Sequence, residues 1–152
     1  MNDLKFTTAG DYMALKVGDG FTLADIDLDA LEKHAFFEHK LFIPCKKGRT
    51  DEQVYRDTYN GLAAERWLIE YHGYENIPEK YKDVKKDGVE VEVKTNASDQ
   101  TEESQLKALT ERKKSTWANV PDHVISFRRK GDQYTVNRLM KWDGLQFVDN
   151  VV

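Results

Sequence analysis

YKDVKKDGVEVEVKT, residues 81–95, reads as a β-hairpin, and its register bears on every element around it. Asp87-Gly88 is a preferred pair for a two-residue type I′ turn, since both central residues take φ > 0, and the flanking residues alternate with the strand period of two. With those two as the loop, Lys86 faces Val89, Lys85 faces Glu90, Val84 faces Val91 and Asp83 faces Glu92. One face then carries Val84, Val89, Val91 and Val93, an apolar ridge suited to a helix or a core. The other carries Asp83, Glu92 and, two residues on, Lys94.

Directly opposed side chains in an antiparallel pair have Cβ atoms about 4.5–5.5 Å apart. Two carboxylates so placed repel each other and weaken the hairpin, a penalty that a shared divalent cation removes. The plainer alternative is a solvated charged face on which Lys85 and Glu90 form an ordinary cross-strand pair.

The chain before the hairpin supplies a further carboxylate. Residues 51–72, DEQVYRDTYNGLAAERWLIEYH, read as a helix with Asp51 as its cap and Gly73 as its end. At 100° per residue, Val54, Tyr55, Leu62, Leu68 and Ile69 form one apolar face, and Glu65 falls inside it, whereas Glu70 points away. A carboxylate there is costly unless it is paired or bound to a metal. Upstream, residues 12–17 suggest a short strand and residues 23–39 a helix capped by Asp25 or Asp27. His34, His39 and Cys45 match no zinc-finger spacing and read as packing or surface residues.

After the hairpin, residues 101–117 read as a helix with Ser98 or Asp99 as capping candidates. It carries Lys107, Lys113 and Lys114. Strands follow at 124–127 and 134–139, with a last hairpin or edge strand within 142–148. Arg128, Arg129 and Lys130 sit at the intervening turn and, with the basic helix, offer a surface for phosphates. The order implies an α+β chain with a mixed central sheet flanked by helices, residues 1–50 packing as an extension on a core at 51–140.

At 152 residues the chain is long enough for one domain with a real core and too short to expect two. A net charge of −4 argues against nonspecific coating of nucleic acid, so any phosphate contact must be local. No apolar run approaches a membrane span and the N-terminus lacks signal-peptide character, so no membrane partner and a cytoplasmic location are expected. The single Cys45 fits a reducing compartment.

Asp83, eight intervening residues, then Glu92-Val93-Lys94 and Thr95, with a helix bearing Glu65 before and a helix and strand after, resemble the PD-(D/E)XK nuclease superfamily over residues 57–127. Two departures stand out: Lys82, not Pro, precedes the Asp, and the first of the family's three strands between helices falls on the short stretch 74–77. The resemblance implies a restriction-endonuclease-like core in which Asp83 and Glu92 bind Mg²⁺ or Mn²⁺ with the Val93 carbonyl as a further ligand. It implies that Lys94 orients or helps to deprotonate the attacking water and stabilises phosphate charge, and that Glu65 completes the metal environment directly or through water. The expected activity is endonucleolytic hydrolysis of DNA phosphodiester bonds, by a homodimer if both strands are cut. The alternative is a noncatalytic nucleic-acid-binding or regulatory module on the same fold.

Overall fold

The computed structural model describes residues 15–42, 48–79, 82–115 and 119–150. Its helices begin and end where side chains satisfy the free backbone groups. Helix α2, Asp51–His72, has the expected bounds, but its cap is Thr50, which accepts from the Gln53 N–H while the Gln53 side chain accepts from the Thr50 N–H. Asp51 instead lies in the first turn, where a carboxylate favours the helix dipole. Gly73 closes the helix at φ 73°, a left-handed conformation that glycine adopts without a Cβ clash.

The helix expected at 23–39 divides in two. Leu23–Asp25 is a single 3₁₀ turn held by Asp25 on the Thr22 N–H, Ile26 is extended, and α1, Leu28–Phe42, starts only after Asp27 has accepted from the Ala30 N–H. Two aspartates that each compete for local amides break the chain where periodicity alone joins it. The described part of the strand expected at 12–17 is likewise not a strand. Strand β1 is Gly20–Thr22, beyond the Gly18 turn, where a Cβ on Gly20 would collide with the Tyr134 carbonyl of its partner strand.

Three strands stand between α2 and α3: β2 (Glu75–Glu79), β3 (Lys82–Lys86) and β4 (Val89–Asn96). Helix α3, Asp99–Lys114, is capped by Ser98 on the Thr101 N–H and crosses over to β5, His123–Lys130, which lies parallel to β4. Strands β6 (Gln133–Trp142) and β7 (Phe147–Asp149) complete a mixed sheet in the order β1-β6-β5-β4-β3-β2, with β7 also on β6. Trp117 and Cys45 lie outside the described residues.

The hairpin adopts the expected register for three of the four pairs, Val84 with Val91, Lys85 with Glu90 and Lys86 with Val89, while the fourth, Asp83 with Glu92, is not part of the ladder because the Asp83 side chain takes the Val93 N–H; both turn residues have positive φ, 52° at Asp87 and 82° at Gly88. Its valine ridge is buried: Val84, Val91 and Val93 pack with Leu62, Ala64 and Leu68 of α2, Leu31 of α1, and Ile125 and Phe127 of β5. The buried face of α2 is wider than its apolar periodicity suggests and takes in Ala63, Ala64 and Trp67, because both the sheet and α1 cover it. On the opposite face Leu109 of α3 joins Val124, Met140 and Phe147 in a second core. The sheet is therefore clamped between helices, and strand side chains of either parity can be buried.

A Cβ at position 88 would be forced into left-handed space, so Gly88→Ala should lower stability by about 1–2 kcal/mol, read from urea unfolding at unchanged m.

Candidate functional site

Asp83 stands at a defect in the sheet. Between Asn76 and Glu79, β2 carries one more residue than the facing segment of β3, from Val84 to Lys82, and Pro78 in that bulge has no N–H to give. Pairing of β3 with β4 likewise runs only from Lys86 and Val89 to Val84 and Val91. Beyond it, the Asp83 Oδ2 accepts the Val93 N–H at 2.7 Å, so a carboxylate takes the amide that a backbone carbonyl would otherwise receive. A strand residue directs its N–H and C=O to the same edge, so the Val93 carbonyl points toward β3 as well.

Glu92 and Lys94, two apart on β4, share the other face. Lys94 Nζ lies 3.1 Å from Glu92 Oε2. Glu92 is only 3% exposed, and its second oxygen, Oε1, is buried with no hydrogen-bond partner. An orphaned buried carboxylate oxygen is uncommon, because leaving such an acceptor unsatisfied costs about 1–3 kcal/mol or more. Glu65 reaches the cluster from α2, 7% exposed, and makes no hydrogen bond or ion pair to another described residue. The inward direction expected for Glu65 is what the structure has, and Glu70, as expected, is outside, holding Arg66 and the Asp27 N–H.

Charges here act strongly on one another. Burial pushes the Glu65 carboxyl well above its ordinary range, and the neighbouring carboxylates of Asp83, Glu92 and Glu38 push it further, against the pull of Lys94. Burial also raises Asp83, reinforced by Glu92 and opposed by Lys94 and the Val93 N–H. For Lys94, burial alone would favour the neutral amine, but Glu92 and Asp83 outweigh it and hold an ammonium. Glu38, on α1, is the carboxylate that reading the sequence missed. Its helix belongs to the N-terminal segment, and only tertiary packing brings it within electrostatic reach.

Among the described residues, no three His, Cys, Asp or Glu side chains are close enough to form a ready-made metal cage. Mg²⁺ commonly uses one or two carboxylates and keeps several waters. Asp83 and Glu92, with the unpartnered Oε1 and the Val93 carbonyl, are an all-oxygen set of that kind, and the residues present fit a hard divalent cation.

The basic residues fall into two groups rather than one surface. Arg128 binds Asn96 and Asp99 at the start of α3, whereas Lys113 binds Asp122 and the Val120 carbonyl beyond its end. Fourteen helical residues, about 21 Å, separate those ends. Arg128 is drawn into a buried network in which Glu102 accepts from Ser126 and Asn137, Asn137 being the extra residue of a bulge in β6. Arg129 donates to the Gly131 carbonyl, and Lys130 is exposed at the hairpin tip. Lys107 and Lys114 are exposed on α3, and Arg112, in its last turn, acts electrostatically on Lys94. The end of α3 that carries Lys113 and Lys114 is therefore the one nearer the carboxylates.

A carboxyl that prefers its proton in the fold contributes stability below its unfolded pKa, and this is lost as pH rises through the folded value. In chelator, wild-type stability should fall as pH rises above the ordinary values of 3.8 for Asp83 and 4.5 for Glu65. Glu65→Gln should flatten that fall and stabilise the metal-free chain at pH 8 by about 1–3 kcal/mol in urea titrations. Compared with family models, with characterised proteins and with solved structures, the chain matches none.

Proposed function

We propose that the chain is an endonuclease that hydrolyses DNA phosphodiester bonds with Mg²⁺ or Mn²⁺ at the Asp83–Glu92 pair. The observation that carries this reading is the buried, unpartnered Oε1 of Glu92 beside an ammonium and two carboxyls that burial and repulsion push toward protonation. A site built only for stability would pair these groups or replace them with apolar ones. The helix, three strands, helix and strand order, with Glu65 on the first helix, supports the resemblance to PD-(D/E)XK nucleases in arrangement as well as in residues.

In this reading Asp83, Glu92 and the Val93 carbonyl hold the cation, which when bound polarises the scissile phosphate and lowers the pKa of water. Asp83 also ties its carboxylate to the Val93 N–H, so the two strands cannot slide apart while they carry the ligands. Lys94, kept as an ammonium, stabilises the negative charge that grows on the phosphate and orients the water, a role that suits it better than that of base. Glu65 receives a proton or shares water at the buried side of the cluster. The C-terminal end of α3, with the exposed Lys114, faces the flanking phosphates, and Lys107 extends that contact along the helix, whereas Lys113 is engaged by Asp122 and the Val120 carbonyl. Cutting both strands requires two copies, each contributing one site.

Incubation with supercoiled plasmid tests the reading. Wild type should nick or linearise it only with Mg²⁺ or Mn²⁺, and Glu92→Ala and Lys94→Ala should lose at least about 10²-fold in rate at unchanged far-UV circular dichroism. Undiminished cleavage by Lys94→Ala refutes the assignment. Salt-sensitive retention of plasmid with no cleavage and no metal dependence would instead identify a binding module.

A further inference from the structure

Helix α1 lies outside the 57–127 stretch that carries the family resemblance, and the reading above gives its outer face no use. Leu31 and Ala35 are buried in the core shared with α2, so the opposite side of the helix looks outward. Asp29, Lys33 and Phe36, spaced four and three apart, form one stripe there, and all three are exposed. Leu28, Phe36 and Phe37 are 47%, 56% and 56% exposed. Tyr71, 57% exposed, stands at the same end as Leu28, in the last turn of α2 with its hydroxyl on the Asp25 carbonyl. Large apolar side chains grouped on one surface mark a place where a partner docks.

Charge selects the partner. Residues 25–32 hold Asp25, Asp27, Asp29 and Glu32 with no lysine or arginine, whereas residues 33–40 hold Lys33 and Lys40 with one acid, the half-buried Glu38. The helix is thus acidic toward its start and basic toward its end, with apolar side chains in both halves. Phosphates or an anionic lipid surface would meet the acidic half at a cost. A parallel copy of the helix would set acid on acid. An antiparallel copy sets Asp29 on Lys33 twice, because in a two-fold contact residue i meets j and j meets i.

We propose that this face binds a second copy of the chain, antiparallel, about a two-fold axis that passes between Asp29 and Lys33. Lys33 of each copy meets Asp29 of the other. Phe36 and Phe37, roughly 8 Å along the helix from that axis, cover Leu28 and Tyr71 of the other copy. The face rests on the nuclease reading only for its use, since it supplies the pairing that cutting both strands requires. One helix and the tip of another bury less than the about 800 Å² per partner of a stable complex, so the pair is weak in free solution. It gains on a duplex, where two bound copies meet at an effective concentration on the order of 1 mM.

Sedimentation velocity of the full chain, in chelator and without DNA, from about 10 µM to about 1 mM, tests the face. Wild type should pass from monomer toward dimer across that range. Asp29→Lys, which sets lysine on lysine, and Lys33→Glu, which sets acid on acid, should each pair at least about tenfold more weakly at unchanged far-UV dichroism. An equimolar mixture of the two restores opposite charges at both contacts and should pair within about threefold of wild type. Phe36→Ser should also lose about tenfold, and on supercoiled plasmid it should nick at the wild-type rate while forming linear product more slowly. A wild type that stays monomeric at about 1 mM, or variants that all pair like wild type, overturns the face and leaves the hydrolysis standing. A mixture that pairs no better than its components overturns it as well. Association with the expected charge dependence but no cleavage of plasmid keeps the face and overturns the hydrolysis.

Discussion

A backbone amide inside a sheet must have an acceptor, and at Val93 that acceptor is the side chain of Asp83. Much else follows from this substitution. Because the amide is satisfied by a carboxylate, β3 can leave the ladder after Val84 without an orphaned donor, and the bulge in β2 lets its neighbour follow. A sheet that stayed fully paired at this point would still set Asp83 opposite Glu92, but a backbone carbonyl, not the Asp83 carboxylate, would then accept the Val93 N–H. The departure from regular pairing thus ties Asp83 to β4 through its side chain.

Gathering such charges is unfavourable, and the fold tolerates it by enclosing the cluster between two apolar cores. Phe21 stacks between Trp67 and Tyr134, with ring centroids 5.1 and 4.7 Å away, and joins β1 and β6 to α2 on one face. Leu109, Val124 and Met140 close the other. Glu102 shows how a buried carboxylate looks when it is structural: both its oxygens are occupied, by Ser126, Asn96 and Asn137, and Arg128 is nearby. Glu92 and Glu65, at comparable burial, have no such complement. Two sets of buried acids in one small sheet, one saturated with donors and the other short of them, differ in the way that a clamp differs from a binding site.

The crossover through α3 links the two. Its N-terminus is pinned by the Glu102 network and by Arg128 on Asp99, and its C-terminus by Lys113 on Asp122 and on the Val120 carbonyl. The helix is thereby held at both ends across the face on which Lys94 lies. Several cations that composition alone would offer to phosphate are spent on this attachment, which leaves the phosphate-facing role to the residues at the site end.

The hairpin was legible in the sequence because its determinants are local: Asp87-Gly88 selects the turn, and a period of two makes the register follow from it. The inward Glu65 was legible for a similar reason, since helical phase depends only on spacing. Helix caps were read less well, because Thr50, Asp51, Asp25 and Asp27 all offer oxygens and only backbone geometry selects among them. The part played by Glu38 and the division of the basic residues into two groups could not be read at all. Both depend on which ends of which elements meet after the chain has crossed over, and that is set by burial of apolar faces between segments remote in sequence, not by any pattern within one of them.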